Sequence, residues 1–166
     1  MYHRNKEPNL YPLLRRLPHA AAVMRGSAEY SGINGTVKFY QTQSGVLVVA
    51  DILGLPDSAG ACNSNIFAFH IHGGSACRGN GEDPFAGAGT HYNPHDCPHP
   101  HHAGDMPPLF GAGGRAFFAF LTDRFTVNEI LGKAVILHDR PDDFTTQPSG
   151  NAGNKIACGI VSPVKR

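Results

Sequence analysis

The sequence predicts an all-β fold, and three observations support this. Twenty glycines and thirteen prolines among 166 residues favour many turns over long helices. Only 16% of the residues are charged. The apolar residues fall in short runs of strand length, separated by Gly, Ser, Asn or Pro. About seven or eight short strands of this kind predict a Greek-key β-sandwich or flattened eight-stranded barrel, immunoglobulin-like in class, with long loops.

The individual strands are predicted in chain order from these runs. Residues 35–41 alternate in polarity, and the turn at 42–45 suits a hairpin into residues 45–52. The apolar run 66–72 ends in two histidines. A helical turn with Thr126 as its cap is predicted over residues 126–130. The remaining predicted strands are residues 22–25, 115–121, 133–138 and 156–161.

The length of the chain fits a single core. The predicted division is an N-terminal extension over residues 1–19 and a β-barrel domain over residues 20–166. Within the extension, residues 9–16 are predicted to form one or two helical turns. Three leucines of this segment would pack on the domain: Leu10, Leu13 and Leu14.

The charge pattern excludes several classes of partner. The formal net charge is +1, and no run of Lys or Arg offers a binding surface for nucleic acid or for a membrane. We therefore expect a small partner. No apolar run approaches the length of about 18 residues that a membrane span needs, and the N-terminal segment lacks the apolar core of a secretory signal. The sequence as given is expected to be cytoplasmic.

The histidines are the most unusual feature of the composition. There are ten in the chain, and five of them fall between His91 and His102. On the predicted strand 66–72, His70 and His72 project from the same face, roughly 6.5–7 Å apart at Cα. Two neutral imidazoles at this separation can converge on copper, zinc, nickel or iron. The alternative for this motif is a pair of histidines that face solvent.

A long stretch between His72 and Phe117 contains almost no β-forming run. Loops of this length in a compact domain are usually functional or disordered. Bound metal would order such a loop, because the binding free energy then contributes to folding. The alternative is a solvated loop that binds divalent ions loosely, and His138 at the end of the strand AVILH could reach the same metal. The metal-capable side chains of the loop are His91, His95, His99, His101, His102 and Asp105.

Five motifs of the chain occur in the same order as in copper/zinc superoxide dismutases. They are FHIHGGSAC, THYNP, HAGD, LHDRPDDF and GNAGNKIACG. The chain therefore resembles this family, and the resemblance runs from about residue 21 to residue 161.

The resemblance implies two adjacent metal sites that share His91 as a bridging imidazolate. Three histidines and one aspartate suit a closed tetrahedral zinc site. The sequence departs from the family pattern in the short interval between the second and third zinc ligands, so His95 or His101 are alternatives to His99. The implied copper ligands are His70, His72, His91 and His138, and the implied zinc ligands are His91, His99, His102 and Asp105.

Two further residues match functional positions of the family. Asp142 matches an aspartate that hydrogen-bonds ligand histidines of both metals and so fixes their orientation. The alternative for Asp142 is an ordinary turn residue. Lys155 stands where the family usually carries an arginine at the mouth of the copper channel. Because lysine lacks the rigid fork of arginine, we expect attraction of anions to survive and docking of superoxide to weaken.

The four cysteines show no CxxC spacing, which argues against a zinc ribbon or a thioredoxin motif. Cys77 and Cys158 match the intrasubunit disulfide of the family. Cys62 and Cys97 have no counterpart in the common family pattern. They form either a second disulfide or two free thiols.

The resemblance implies an enzyme that disproportionates superoxide to dioxygen and hydrogen peroxide, with copper and zinc as cofactors and superoxide as substrate. His91 would move a proton, and Lys155 would steer the anion. The family also favours a homodimer. A non-catalytic protein of the same fold that stores or delivers metal is the main alternative. A zinc hydrolase would need a carboxylate base beside an open metal position, and only Glu82 and Asp83 lie near, without a matching motif.

Overall fold

The structure is a computed structural model that describes residues 11–57 and 65–165. Within these residues eight strands pair in antiparallel fashion. The strands are β1 (Ala20–Gly26), β2 (Asn34–Thr42), β3 (Gly45–Leu53), β4 (Ile66–His72), β5 (Asp105–Phe110), β6 (Arg115–Thr122), β7 (Ala134–His138) and β8 (Lys155–Pro163).

The strands form one sheet in the order β5-β4-β7-β8-β1-β2-β3-β6. The two edge strands, β5 and β6, follow each other along the chain and approach one another in space. The sheet therefore curls into a nearly closed barrel, and the predicted all-β fold is confirmed. No helix in the described part of the chain is long and apolar enough to cross a membrane.

The hairpin between β2 and β3 shows how the turn residues set the register. Thr42 pairs with Gly45, and the Thr42 hydroxyl donates a 2.8 Å hydrogen bond to the Gly45 carbonyl. Gly45 has a φ of 127°, and a Cβ atom there would lie 2.3 Å from the Thr122 carbonyl oxygen. A side chain at this position would push β6 away from β3.

The interior of the barrel is filled by apolar side chains from alternate positions of the strands. On β4, Phe67, Phe69 and Ile71 belong to this core, each 3% exposed or less. The intervening residues His70 and His72 therefore project from the other face of the wall. This alternation places both imidazoles outside the barrel and beneath the long loop that follows β4.

Strand β5 was expected to be part of a long loop, and that expectation is wrong. Its sequence, DMPPLF, contains two prolines, which cannot donate a hydrogen bond to a neighbouring strand. The strand forms because it lies at an edge of the sheet and pairs only with β4. Its apolar residues Met106 and Leu109 are buried in the core. Burial here outweighs the low strand propensity of proline.

Both predicted helical turns are present, and the first ends at Leu14 instead of Arg16. Helix α1 (Tyr11–Leu14) brings Leu13 against a small outer cluster, whereas Leu14 is exposed. Leu10, which was also predicted to pack on the domain, lies outside the described residues. The outer cluster that Leu13 meets consists of Tyr40, Leu47 and Val49.

Helix α2 (Val127–Ile130) follows Thr126, its predicted N-cap residue. The Glu129 carboxylate accepts hydrogen bonds from the Thr126 backbone N–H at 2.6 Å and from its hydroxyl at 2.7 Å. Val127 and Ile130 are buried. The turn is thus held by its cap on one side and by the core on the other.

A disulfide joins Cys77, in the loop after β4, to Cys158 on β8. This confirms the pairing that the resemblance implied. The thiol of Cys97 is free. Of the two alternatives for Cys62 and Cys97, this favours two free thiols; Cys62 itself lies outside the described residues.

Candidate metal centre

Four histidines meet on the outer side of β4, and we call them the four-histidine cluster. One ligand atom from each lies within 4.8 Å of those of the others. All four residues are buried, with His70 0% exposed. The cluster consists of His70, His72, His91 and His138.

Backbone pairing brings the members of this cluster together. His70 and His72 are two residues apart on β4. His91 forms a β-bridge with His72, which carries the long loop back over the strand. His138 ends β7, and β7 pairs with β4. The cluster is therefore built mainly on rigid strands.

Hydrogen bonds select which nitrogen of each imidazole remains available. His72 Nδ1 lies 2.8 Å from the Gly89 carbonyl oxygen, and His138 Nδ1 lies 3.4 Å from that of Gly153. A carbonyl only accepts, so each Nδ1 must carry the proton. Nε2 of both rings is left as a lone pair that points into the cluster.

A second group, the His–Asp cluster, adjoins the first. Its four ligand atoms also lie within 4.8 Å of one another, and every member is buried. His99 is 3% exposed, whereas His95 and His101 are exposed and lie outside both clusters. The members of the His–Asp cluster are His91, His99, His102 and Asp105.

Asp105 is the centre of the second group. Its Oδ1 atom lies 2.7 Å from His91 Nδ1, and its Oδ2 atom lies 3.0 Å from His99 Nδ1 and 3.3 Å from His102 Nδ1. Partial burial favours the neutral acid, but the hydrogen bond from His91 and the nearby imidazoles lower the pKa of Asp105. The group thus offers three imidazole nitrogens and one carboxylate to a single point.

His91 belongs to both clusters. Its Nδ1 atom faces Asp105, and its Nε2 atom is buried on the other side of the ring without a hydrogen-bond partner. The ring centroid of His91 lies 4.0 Å from that of His70 and 5.4 Å from that of His102. One imidazole therefore connects the two groups.

Asp142 links the clusters a second time, from behind. Its Oδ2 atom lies 2.7 Å from His70 Nε2, and its Oδ1 atom lies 2.9 Å from His99 Nε2. Burial alone would raise the pKa of Asp142, but hydrogen bonds from His70, from the Phe144 N–H and from His99 bring it to about 2. Both imidazoles must carry their protons on Nε2 to donate, so Nδ1 of each ring is the free lone pair.

Burial keeps the imidazoles neutral in the metal-free protein. Desolvation lowers the pKa of His70, His72 and His102 below the usual value, and it lowers that of His138 to about 3. Neutral imidazole is the form that binds a metal ion.

Buried histidine nitrogens that have no hydrogen-bond partner indicate whether a metal ion fits these residues. Buried polar atoms without a hydrogen-bond partner are costly, and five histidine nitrogens in the described part of the chain are of this kind. His99 Nδ1 is one of them, because its 3.0 Å approach to Asp105 lacks hydrogen-bond geometry. The donor set of nitrogens with one carboxylate suits copper and zinc. The five atoms are His70 Nδ1, His72 Nε2, His91 Nε2, His99 Nδ1 and His138 Nε2.

Lys155 lies beside the four-histidine cluster, opposite His138 on the neighbouring strand. Its ammonium donates to Asp83 Oδ2 at 2.7 Å and to the Phe85 carbonyl at 3.4 Å. The resemblance placed Lys155 here. It gave no sign of Asp83 as its partner, because 72 residues separate the two in sequence.

Arg124 is a second residue that the sequence pattern did not point to. Its Nη1 atom donates to the Pro100 carbonyl at 2.9 Å, and to those of His102 and Asp105 at 3.3 Å each. These carbonyls belong to the segment that carries the His–Asp cluster. Arg124 is the second residue after β6, so it attaches this segment to the barrel wall. In the sequence, only the position of Arg124 near the long loop could have suggested that it holds this segment.

Comparison with known proteins places the chain in a family. A family model described as copper/zinc superoxide dismutase (SODC) matches residues 33–161. "Superoxide dismutase [Cu-Zn] 2" from Aquifex aeolicus is 32% identical over 142 residues, which cover 76% of this chain and 78% of that protein. "Superoxide dismutase [Cu-Zn] 1" from the same organism is 35% identical over 144 residues, covering 76% and 79%.

A protein from Deinococcus radiodurans, also named "Superoxide dismutase [Cu-Zn]", is 30% identical over 151 residues, covering 80% of this chain and 79% of that protein. The match extends over most of the barrel and over both clusters. The chain belongs to the copper/zinc superoxide dismutase family.

Proposed function

We propose that this superoxide dismutase disproportionates superoxide at a copper ion held by the four-histidine cluster, next to a zinc ion held by the His–Asp cluster. The observation that carries the proposal is the set of five buried histidine nitrogens that have no hydrogen-bond partner and face these two points. A store or carrier of metal would share the ligands but would lack the activity.

Each cluster supplies the donors that its ion prefers. The four-histidine cluster would offer only imidazole nitrogens, one Nδ1 from His70 and three Nε2 atoms. The His–Asp cluster would offer three Nδ1 atoms and the Asp105 carboxylate, which suits a closed tetrahedral zinc site. His99 completes this set better than the exposed His95 or His101, because only its ring is buried beside Asp105.

When bound, copper supplies a one-electron redox centre for the two halves of the reaction, and zinc supplies fixed positive charge. The protein side chains set the geometry. Asp142 holds the rings of His70 and His99 through their Nε2–H groups. His91 Nε2 is the atom that would take up a proton in one half of the reaction and return it in the other. Its Nδ1 atom faces the His–Asp cluster, where it would bind zinc.

Metal loading followed by a dismutation assay tests the proposal. The metal-free protein would be loaded with Zn(II) and then Cu(II), and superoxide decay would be followed by stopped-flow absorbance. We expect one copper and one zinc per chain and a rate far above that of the metal-free protein. Full copper occupancy without dismutation would contradict the enzyme function and favour metal storage or delivery.

Ligand variants assign the two sites separately. His72→Gln should lower copper affinity by more than about tenfold and spare zinc, and His102→Gln should do the reverse. His95→Gln and His101→Gln are matched controls from the same loop, because both rings are exposed. Retention of zinc by His99→Gln together with its loss by His95→Gln or His101→Gln would overturn the assignment of His99.

A further inference from the structure

Lys155, the partner of His138 in the pairing of β7 with β8, is bound to a carboxylate. Its Nζ atom lies 2.7 Å from Asp83 Oδ2, and the lysine side chain is 15% exposed. Asp83 also accepts the Phe85 backbone N–H on its other oxygen at 2.9 Å. Burial alone would raise the pKa of Asp83, but the hydrogen bonds from Lys155 and Phe85 lower it. Asp83 is therefore a carboxylate at neutral pH, and it offsets the charge of Lys155.

This ion pair lies in a surface cleft at the start of β8. The cleft has a volume of about 570 Å³, and its lining includes Gly153, whose carbonyl faces His138. Besides Lys155, the ionisable acids and bases of the lining are three carboxylates and the Tyr30 phenol. The carboxylates belong to Glu29, Glu82 and Asp83. The ionisable groups that line the cleft therefore carry more negative than positive charge.

We propose that Asp83 sets the affinity of the copper site for anions, superoxide included, by neutralising Lys155. The inference rests on the proposed function, since it assumes copper in the four-histidine cluster. A unit positive charge near a narrow entrance raises the local concentration of anions and their rate of arrival. A carboxylate at hydrogen-bond distance from that charge cancels most of the field. Asp83 would thus limit the catalytic rate that the histidines allow.

Asp83→Asn removes the negative charge of this side chain and leaves its size nearly unchanged. Asparagine keeps an oxygen that can accept the Phe85 N–H, so the local turn is preserved. The disulfide at Cys77 anchors the same loop to β8. Glu82→Gln is a matched control, because it removes one negative charge from the adjacent residue in the same cleft. Lys155 donates to Asp83 and to the Phe85 carbonyl, and neither contact involves the Glu82 side chain.

The experiment compares azide binding and superoxide dismutation in protein loaded with both metals. Azide is a small anion that gives an optical band on Cu(II), so its dissociation constant is measured without turnover. We expect D83N to bind azide about threefold more tightly or better, with a matching rise in kcat/KM for superoxide and a steeper loss of both with added salt. E82Q should change each value by less than about twofold, since its charge is not coupled to Lys155.

A double variant that combines Asp83→Asn with Lys155→Gln tests whether Asp83 acts through Lys155. In a Lys155→Gln background, D83N should lose most of its effect on azide binding, because there is no ammonium left to release. An unchanged effect of D83N in that background, or equal effects of D83N and E82Q, would overturn the inference. Should D83N fail to retain both metals, Asp83→Ser provides the second variant, because its hydroxyl can still accept the Phe85 N–H.

The outcomes for the inference and for the proposed function are separate. A wild-type protein that holds both metals but lacks dismutation would contradict the function. An active wild-type protein in which D83N and D83S match E82Q would contradict only the role of Asp83.

Discussion

Asp142 Oδ1 lies 2.9 Å from His99 Nε2, although 43 residues separate the two in sequence. The other oxygen of the same carboxylate lies 2.7 Å from His70 Nε2. One side chain therefore orients a histidine of each cluster, and a change at Asp142 should reach both metal sites.

Asp142→Asn should weaken both sites. An asparagine oxygen can accept one of the two imidazole N–H groups, but its NH₂ group cannot accept the other. At least one ring then loses its fixed tautomer, and we expect the affinities for copper and zinc to fall by about 10- to 100-fold. Competition with a chelator of known affinity measures each constant.

The adjacent Asp143 provides the control for this variant. Its carboxylate accepts hydrogen bonds only from Thr145 and Thr146 among the described residues. Asp143→Asn should leave both metal affinities within about twofold of the wild type. Equal losses of metal affinity in D143N and D142N would mean that the affinities depend on the conformation of this turn and not on the hydrogen bonds from His70 and His99 to Asp142.

Arg124→Met should loosen zinc and spare copper. The methionine keeps much of the apolar stem but removes the three hydrogen bonds to the carbonyls of Pro100, His102 and Asp105. The segment that carries the His–Asp cluster then has more freedom, so we expect zinc affinity to fall about three- to tenfold. Visible spectra of Co(II) bound in place of zinc should report a less regular site.

Arg115→Met is the matched control for Arg124. Arg115 is the first residue of β6, and its bidentate partner is the partly exposed Asp51. Exposed ion pairs contribute little, and the hydrogen bonds of this pair involve no residue of either cluster. If zinc affinity falls as much in R115M as in R124M, the hydrogen bonds from Arg124 to the loop carbonyls do not account for the loss.

Much of the barrel could be predicted from sequence because each strand carries its own local signal. Strand β4 matches its expected bounds at both ends, and its alternation of apolar residues with histidines determines which side the imidazoles occupy. Strand β5 could not be predicted, because its prolines are acceptable only at a sheet edge and the edge position is a property of the whole fold.

The two clusters were only partly predictable from sequence, because they too depend on how the whole chain folds. The spacing in a proline-rich loop does not decide among His95, His99 and His101, since the choice depends on which ring is turned towards Asp105. Contacts such as Lys155 with Asp83 join residues that are remote in sequence. Sequence motifs therefore identify which kinds of side chain can bind metal. They do not show which charges neutralise one another near the metal centre, because that depends on tertiary contacts.

Cys77→Ser should destabilise the protein without changing its core. The disulfide to Cys158 closes a loop with a sequence separation of 81 residues, and the entropy model gives about 4.5 kcal/mol for a loop of this length. Cys77 is exposed, so serine leaves no cavity. Denaturant unfolding of the metal-free protein measures the change, and Cys97→Ser, which alters a free thiol, should leave stability within about 0.5 kcal/mol. Similar losses in both variants would point to a general effect of cysteine replacement.

Acid should destabilise the metal-free protein through His138. Burial lowers the pKa of His138 from 6.5 in the unfolded chain to about 3 in the folded state. Between these values the unfolded state binds the extra proton, so stability is full above about pH 6.5 and falls as the pH drops. From pH 7 to pH 5 this one group should account for a loss of about 2 kcal/mol. In His138→Gln that part of the loss should disappear, whereas His95→Gln, which alters an exposed ring, should follow the wild type. Urea unfolding at several pH values measures the difference, and parallel curves for wild type and H138Q would show that His138 is not the titrating group.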